Sequence, residues 1–198
     1  MNFLAHIYLS DGFDDVMIGN VLGDFVKGSN FEKYNNEIAL GIQLHREIDM
    51  FTDRHTIVKQ SKARLWDKYR HYSSVIMDMY YDHFLAKDWH HYSDVPLAEF
   101  TKLSYKALLS KEAILPSKAN HMIVHMAKDN WLLNYAKMEG MQRALTGMSK
   151  RTKFNSKMEQ AVDDLQMDYA LYNEEFHEFF PILEKHTKEV REKLVSKI

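Results

Sequence analysis

Residues 41–53 read GIQLHREIDMFTD. Ile42, Leu44, Ile48 and Phe51 recur among polar residues at helical intervals, which predicts a helix over about 36–53. Within it His45, Asp49 and Asp53 follow one another at four-residue steps. Four residues advance about 400° on a helix, so the row keeps one face and drifts slowly.

That spacing alone is weak evidence for a site. The chain holds 15 Asp and 11 His in 198 residues, and random placement gives about three Asp/His pairs at this step. His121, His125 and Asp129 form an equal row, which reads as a polar helix face. A stronger signal is the second cluster in MDMYYDHFL, residues 77–85, where Asp78 and Asp82 are four apart and His83 is adjacent. Ile76, Met77, Met79, Phe84 and Leu85 surround it, so both clusters belong to helices that lie deep in a fold. Charges there must be paired or bound to metal. Two such helices crossing would gather imidazole and carboxylate ligands. Nitrogen and oxygen donors without sulfur suit Mn²⁺, Fe²⁺ or Mg²⁺, and such an ion activates water for phosphoester hydrolysis. The same residues also fit a buried ion-pair network with no metal.

Working outward, the whole chain reads as helical. Only 7 Gly and 3 Pro interrupt it, 45% of residues are hydrophobic and 27% are charged, which describes one soluble all-α domain over 1–198. Helices are expected near 2–10, 15–27, 36–53, 56–70, 75–91, 97–112, 117–138 and 139–148. Two more are expected in 155–198, broken near Phe180-Pro181 because proline disfavours helix at the residue before it. The absence of cysteine removes disulfides, thiolate metal sites and cysteine nucleophiles. A net charge of −2 gives no global sign of a nucleic-acid or membrane partner. MNFLAHIYLS is a poor signal peptide, so a cytoplasmic protein is expected.

Other candidates are single residues. Asp24, four residues after Asn20 in GNVLGDFVKG (19–28), reads equally as a metal ligand or an arginine partner. His6 lies on the apolar first helix and reads as a hydrogen-bonded core histidine. Residues 141–158 carry Arg143, Lys150, Arg151, Lys153 and Lys157 with no acid, a local basic strip suited to an acidic partner or a phosphate.

Taken together, MNFLAH, GNVLGDFVKG, GIQLHREID with Thr52-Asp53 after it, DMYYDHFL with Trp89 after it, and GMSKR (147–151) resemble the acyl carrier protein phosphodiesterase family. The resemblance runs from residue 1 to about 181. It implies a divergent HD-domain-like phosphohydrolase of all-helical fold that uses a divalent cation, Mn²⁺ above Mg²⁺ or Fe²⁺. The implied reaction removes 4′-phosphopantetheine from holo acyl carrier protein, a small acidic protein. Family-like positions are His6, Asn20, Asp24, His45, Arg46, Asp49, Asp53, Asp78, Asp82, His83 and Arg151; the His121 row is not among them. Asp82-His83 reverses the His-Asp order of HD domains, so ligand roles do not transfer directly.

The expected metal ligands are therefore Asp24, His45, Asp49, Asp82 and His83. Asp49 or Asp78 is expected to orient the attacking water, and Arg46, Lys27 and Arg151 to offset phosphate charge. Arg143, Lys150 and Arg151 are expected to meet the acidic carrier. Two other readings stay open. One is an HD-like nucleotide phosphohydrolase with Tyr80 and Tyr81 stacking on the base. The other is a non-catalytic helical binding module.

Overall fold

Every regular element among the described residues is helical. The structure, a computed structural model, describes residues 1–196. Lys197 and Ile198, the end of the domain expected over 1–198, lie outside the described residues.

Helix α1 (Phe3–Tyr8) is short and almost wholly buried. Helix α2 (Asp15–Leu22) starts where Asp14 accepts hydrogen bonds from Val16 N and Met17 N, a side-chain cap on amides the helix cannot pair itself. Helix α3 (Asn36–Arg54) contains the 41–53 stretch and is capped by Asn35, which accepts from Ile38 N at 2.8 Å. Helices α2 and α3 pack more extensively than any other pair. Glycine makes this approach attainable. A methyl at Gly41 would lie 2.0 Å from the Val16 carbonyl oxygen, and one at Gly19 would lie 2.1 Å from that of Ile38. The glycines of GNVLGD and GIQLH thus meet back to back and bring the end of α2 alongside His45.

The remaining helices are α4 (Thr56–Tyr69), α5 (Ser73–Lys87), α6 (Leu97–Leu109), α7 (Ser117–Lys128), α8 (Trp131–Asn134), α9 (Met138–Arg151), α10 (Ala161–Met167) and α11 (Tyr169–Val195). Helix α5 carries the 77–85 cluster through the centre; Met79, Tyr80, Tyr81, Phe84 and Leu85 have no exposed surface. No helix among the described residues is long and apolar enough to cross a membrane.

Three expectations are corrected. The helix expected over 15–27 ends at Leu22 and gives way to a tighter turn, Gly23–Phe25. The helix expected over 117–138 is split, because Asn130 adopts a left-handed conformation (φ 47°) before α8, and α9 then continues past Gly147 to Arg151. The break expected at Pro181 does not occur: α11 runs through it, and the chain turns at Asp168 instead. Proline inside a helix costs roughly 3 kcal/mol. Tyr172, Phe176, Phe179, Phe180 and Leu183 are buried along the same helix, and burying five such side chains outweighs that cost.

Candidate metal centre

Asp49 lies between two histidines. On α3, His45 places Nε2 3.1 Å from Asp49 Oδ2, the one-turn contact that the four-residue step predicts. From α1, His6 places Nε2 3.1 Å from Asp49 Oδ1. The turn after α2 adds Asp24, whose Oδ1 is 3.5 Å from His45 Nε2. Ligand atoms of His6, His45 and Asp49 all lie within 4.8 Å of one another.

The outer contacts fix these rings. His6 Nδ1 bonds Asn20 Oδ1 at 2.8 Å, and the Asn20 amide donates to His6 O and to Ser10 Oγ, both at 2.9 Å. This buried network leaves Nε2 directed at Asp49, the arrangement that orients metal-ligating histidines. Gly23 makes room for the second ring, since a methyl there would lie 2.1 Å from His45 Cγ. His45 Nδ1 is buried with no partner.

Electrostatics differ sharply between the two rings. Burial, helped by the nearby His45 charge, pushes His6 down to about 4, so it is neutral near pH 7. Burial also lowers His45, but the carboxylates of Asp24 and Asp49 outweigh it and hold the ring at about 9. Asp49 itself lies far below the ordinary carboxylate range: burial opposes this, and the Met1 amine, His45 and His6 overcome it. That amine is 3.2 Å from Asp49 Oδ1 and 3.1 Å from Asp78 Oδ1. Burial raises Asp78 despite the amine.

The α5 pair lies apart from this group. Asp82 is fully buried and accepts from Leu4 N at 2.8 Å and Ala5 N at 3.2 Å. It satisfies the open amides of α1, and burial lifts its carboxyl to about 7. His83 bonds Tyr135 O through Nδ1 (2.7 Å) and the Tyr169 hydroxyl through Nε2 (2.9 Å), so both ring nitrogens are engaged elsewhere. The expected ligand pair Asp82 and His83 is thus placed one layer behind the centre: Asp82 fixes the helix that carries His6, and His83 ties α5 to the α8 and α11 regions.

Other expected residues divide similarly. Arg46 Nη2 donates to Val26 O at 2.8 Å with its guanidinium over the Phe31 ring, which ties down the segment after Asp24. Lys27 is exposed. Asp53 pairs with Lys62 of α4 at 2.7 Å, bracing the next helix. Arg143, Lys150 and Arg151 are exposed on α9. His121 and His125 are exposed on α7, their rings 4.5 Å apart. Tyr80 and Tyr81 are fully buried, their hydroxyls held by Ala161 O and Ser61 Oγ, which removes them as base-stacking residues. His6 was missing from the ligand set expected from spacing. A lone histidine on an apolar helix has no periodic partner, and only its family-like position marks it.

Comparisons with known proteins point to one family. A family model described as "Acyl carrier protein phosphodiesterase" matches residues 1–183. A protein of that name from Photorhabdus laumondii is 30% identical over 186 residues, covering 92% of this chain and 93% of that protein. One from an Enterobacter species (strain 638) is 31% identical over 182 residues, covering 91% and 94%. No solved structure matches. With most of its length matched by the family model and by full-length relatives, the chain belongs to the acyl carrier protein phosphodiesterase family.

Proposed function

We propose that this chain hydrolyses the phosphodiester joining 4′-phosphopantetheine to the serine of holo acyl carrier protein, using a divalent cation held by His6, His45, Asp49 and Asp24. The observation that carries the reading is the convergence of two imidazoles and a carboxylate within 4.8 Å. The donor set fits the ion. Two nitrogens with carboxylate oxygens suit Mn²⁺ or Fe²⁺, His6 is neutral and oriented from behind by Asn20, and no thiolate is available to select softer metals. Such a cation, when bound, supplies positive charge to the phosphate oxygens and lowers the pKa of a water.

The chain's own residues do the rest. Asn20 and Gly23 hold the two imidazoles in register. Asp78, across the Met1 amine from Asp49, is proposed to orient the attacking water or take its proton. Arg46 is proposed to act through the Asp24 segment, because its guanidinium is engaged with Val26 O. Lys27 and Arg151 remain proposed as charges for the phosphate. Hydrolysis adds the water oxygen to phosphorus and breaks the P–O bond to the serine, whose oxygen takes up a proton.

The deciding assay incubates the protein with holo carrier and Mn²⁺ and follows the carrier's mass. Loss of the phosphopantetheine group is expected, and the loss stops when chelator strips the metal. Full activity in chelator overturns the metal role. Phosphate release from nucleotides with holo carrier untouched overturns the substrate.

A further inference from the structure

A cleft of about 640 Å³ lies outside the metal group, between Trp131 of α8 and the face of α9 that bears Arg143 and Arg151. Each arginine is four residues from Gly147, so the three share one stripe of the helix. Asp129 is the one acid lining the cleft, which leaves a net positive charge.

Gly147 is the unusual feature. It sits inside α9 with no positive φ, and a methyl there would have no neighbour within 4 Å. Neither backbone conformation nor packing within the chain requires glycine at this position. Glycine is the poorest residue for a helix interior after proline, and its remaining use is to let another molecule approach the backbone closely. Gly19 and Gly41 show the same device satisfied within the chain; at Gly147 no neighbour among the described residues lies within 4 Å.

Two further observations say what fits there. No acid occurs anywhere in 141–158, the segment that brings Arg143 and Arg151 to the cleft, so this wall suits an anionic partner. Just beyond Arg151, Phe154 is 71% exposed. Its loop is held by Thr152 Oγ1, which lies 2.8 Å from both Ser149 O and Phe154 O and can donate its one proton to either. A bare aromatic beside cations is the composition of an interface anchor. Tyr135, which lines the cleft, is otherwise buried in the core.

We infer that this cleft is the docking surface for an acidic protein partner, whose carboxylates meet Arg143 and Arg151 while its chain lies against α9 at Gly147. The identity of that partner as the carrier rests on the reaction proposed above.

The test measures binding of fluorescently labelled apo carrier, which has no bond to cleave, to the full-length protein by anisotropy. Gly147→Leu fills the gap at a position with no neighbours, and Arg143→Glu reverses an exposed charge. Each is expected to weaken binding at least about tenfold with no loss of melting temperature, and Gly147→Leu to raise it slightly. Wild-type protein that does not bind the carrier, or well-folded variants that bind within twofold of wild type, would overturn the docking site. If the variants weaken binding but holo carrier keeps its phosphopantetheine mass, the docking site stands and the proposed reaction fails.

Discussion

His6 and His45 stack with ring centroids 4.1 Å apart and planes 19° apart, each presenting Nε2 to a different oxygen of Asp49. Two like rings this close would repel if both were charged, and burial keeps His6 neutral. The pair therefore offers one lone pair at once and a second when His45 gives up its proton to a competing cation. Replacing His45 or Asp49 by Ala is expected to lower carrier hydrolysis at least about 100-fold and to abolish the Mn²⁺-induced rise in melting temperature. His83→Ala should lower the melting temperature while keeping that Mn²⁺ response, because its ring bonds Tyr135 and Tyr169. A lost Mn²⁺ response in folded His83→Ala would return that residue to the centre.

Asn20 is fully buried behind His6. It fixes the tautomer and direction of His6 through a fully buried network. Removing such an outer partner typically costs about 10–100-fold in metal affinity. Asn20→Ala should show that loss by titration calorimetry with Mn²⁺, and Asn20→Asp should recover part of it because a carboxylate oxygen can still accept from Nδ1. Equal affinity in all three proteins would show that the network serves only the fold.

Glycine contacts separate fold from site in a way that stability measurements can read. Gly41→Ala drives a methyl into the Val16 carbonyl and should cost about 2–3 kcal/mol in urea unfolding. Gly23→Ala instead meets the His45 ring, so its main effect should fall on Mn²⁺ affinity. A tolerated Gly41→Ala would mean that α2 and α3 can separate without losing the fold.

These contrasts also show what the sequence could express. Helix existence was legible along α3 and α11, where apolar residues repeat at helical steps, whereas α5 is buried on every side and carries no such stripe. The His45–Asp49 contact was legible because it lies within one helix. His6 was not, since its contact with Asp49 spans 43 residues and depends on the angle at which α1 is held. Asp82 looked like a ligand for the same reason. A buried carboxylate needs a partner, but periodicity cannot tell a metal from the amides of Leu4 and Ala5.

Asp15 gives a pH test outside the centre. Its carboxylate meets Lys111 Nζ at 2.6 Å and Asn35 Nδ2 at 2.8 Å, joining the start of α2 to the α6–α7 connection and to the cap of α3. The Lys111 hydrogen bond holds its pKa below the ordinary value of 3.8. A depressed folded pKa contributes stability that is present above the unfolded pKa and is lost as pH falls through the folded one. Asp15→Asn should therefore cost about 1 kcal/mol at pH 7, and its deficit should shrink as pH falls below about 4. A deficit independent of pH would assign the contact to packing.

Pro181 poses the sharpest question about α11. Its ring leaves the His177 carbonyl without the amide that would normally bond it, yet the helix continues from Tyr169 to Val195. His177 is itself fixed, with Nε2 3.0 Å from Asp88 Oδ2 and Nδ1 2.9 Å from the Tyr92 hydroxyl. Pro181 is exposed, while Phe179 and Phe180 just before it are fully buried. If packing of those rings alone keeps the helix continuous, Pro181→Ala restores a hydrogen bond and removes a clash, and should stabilise the protein by about 1–3 kcal/mol. If instead a bend at Pro181 is needed to seat Phe179 and Phe180, the same substitution lowers the melting temperature. Thermal unfolding of the metal-free protein separates the two, because the site residues on α1, α2 and α3 are untouched by the change.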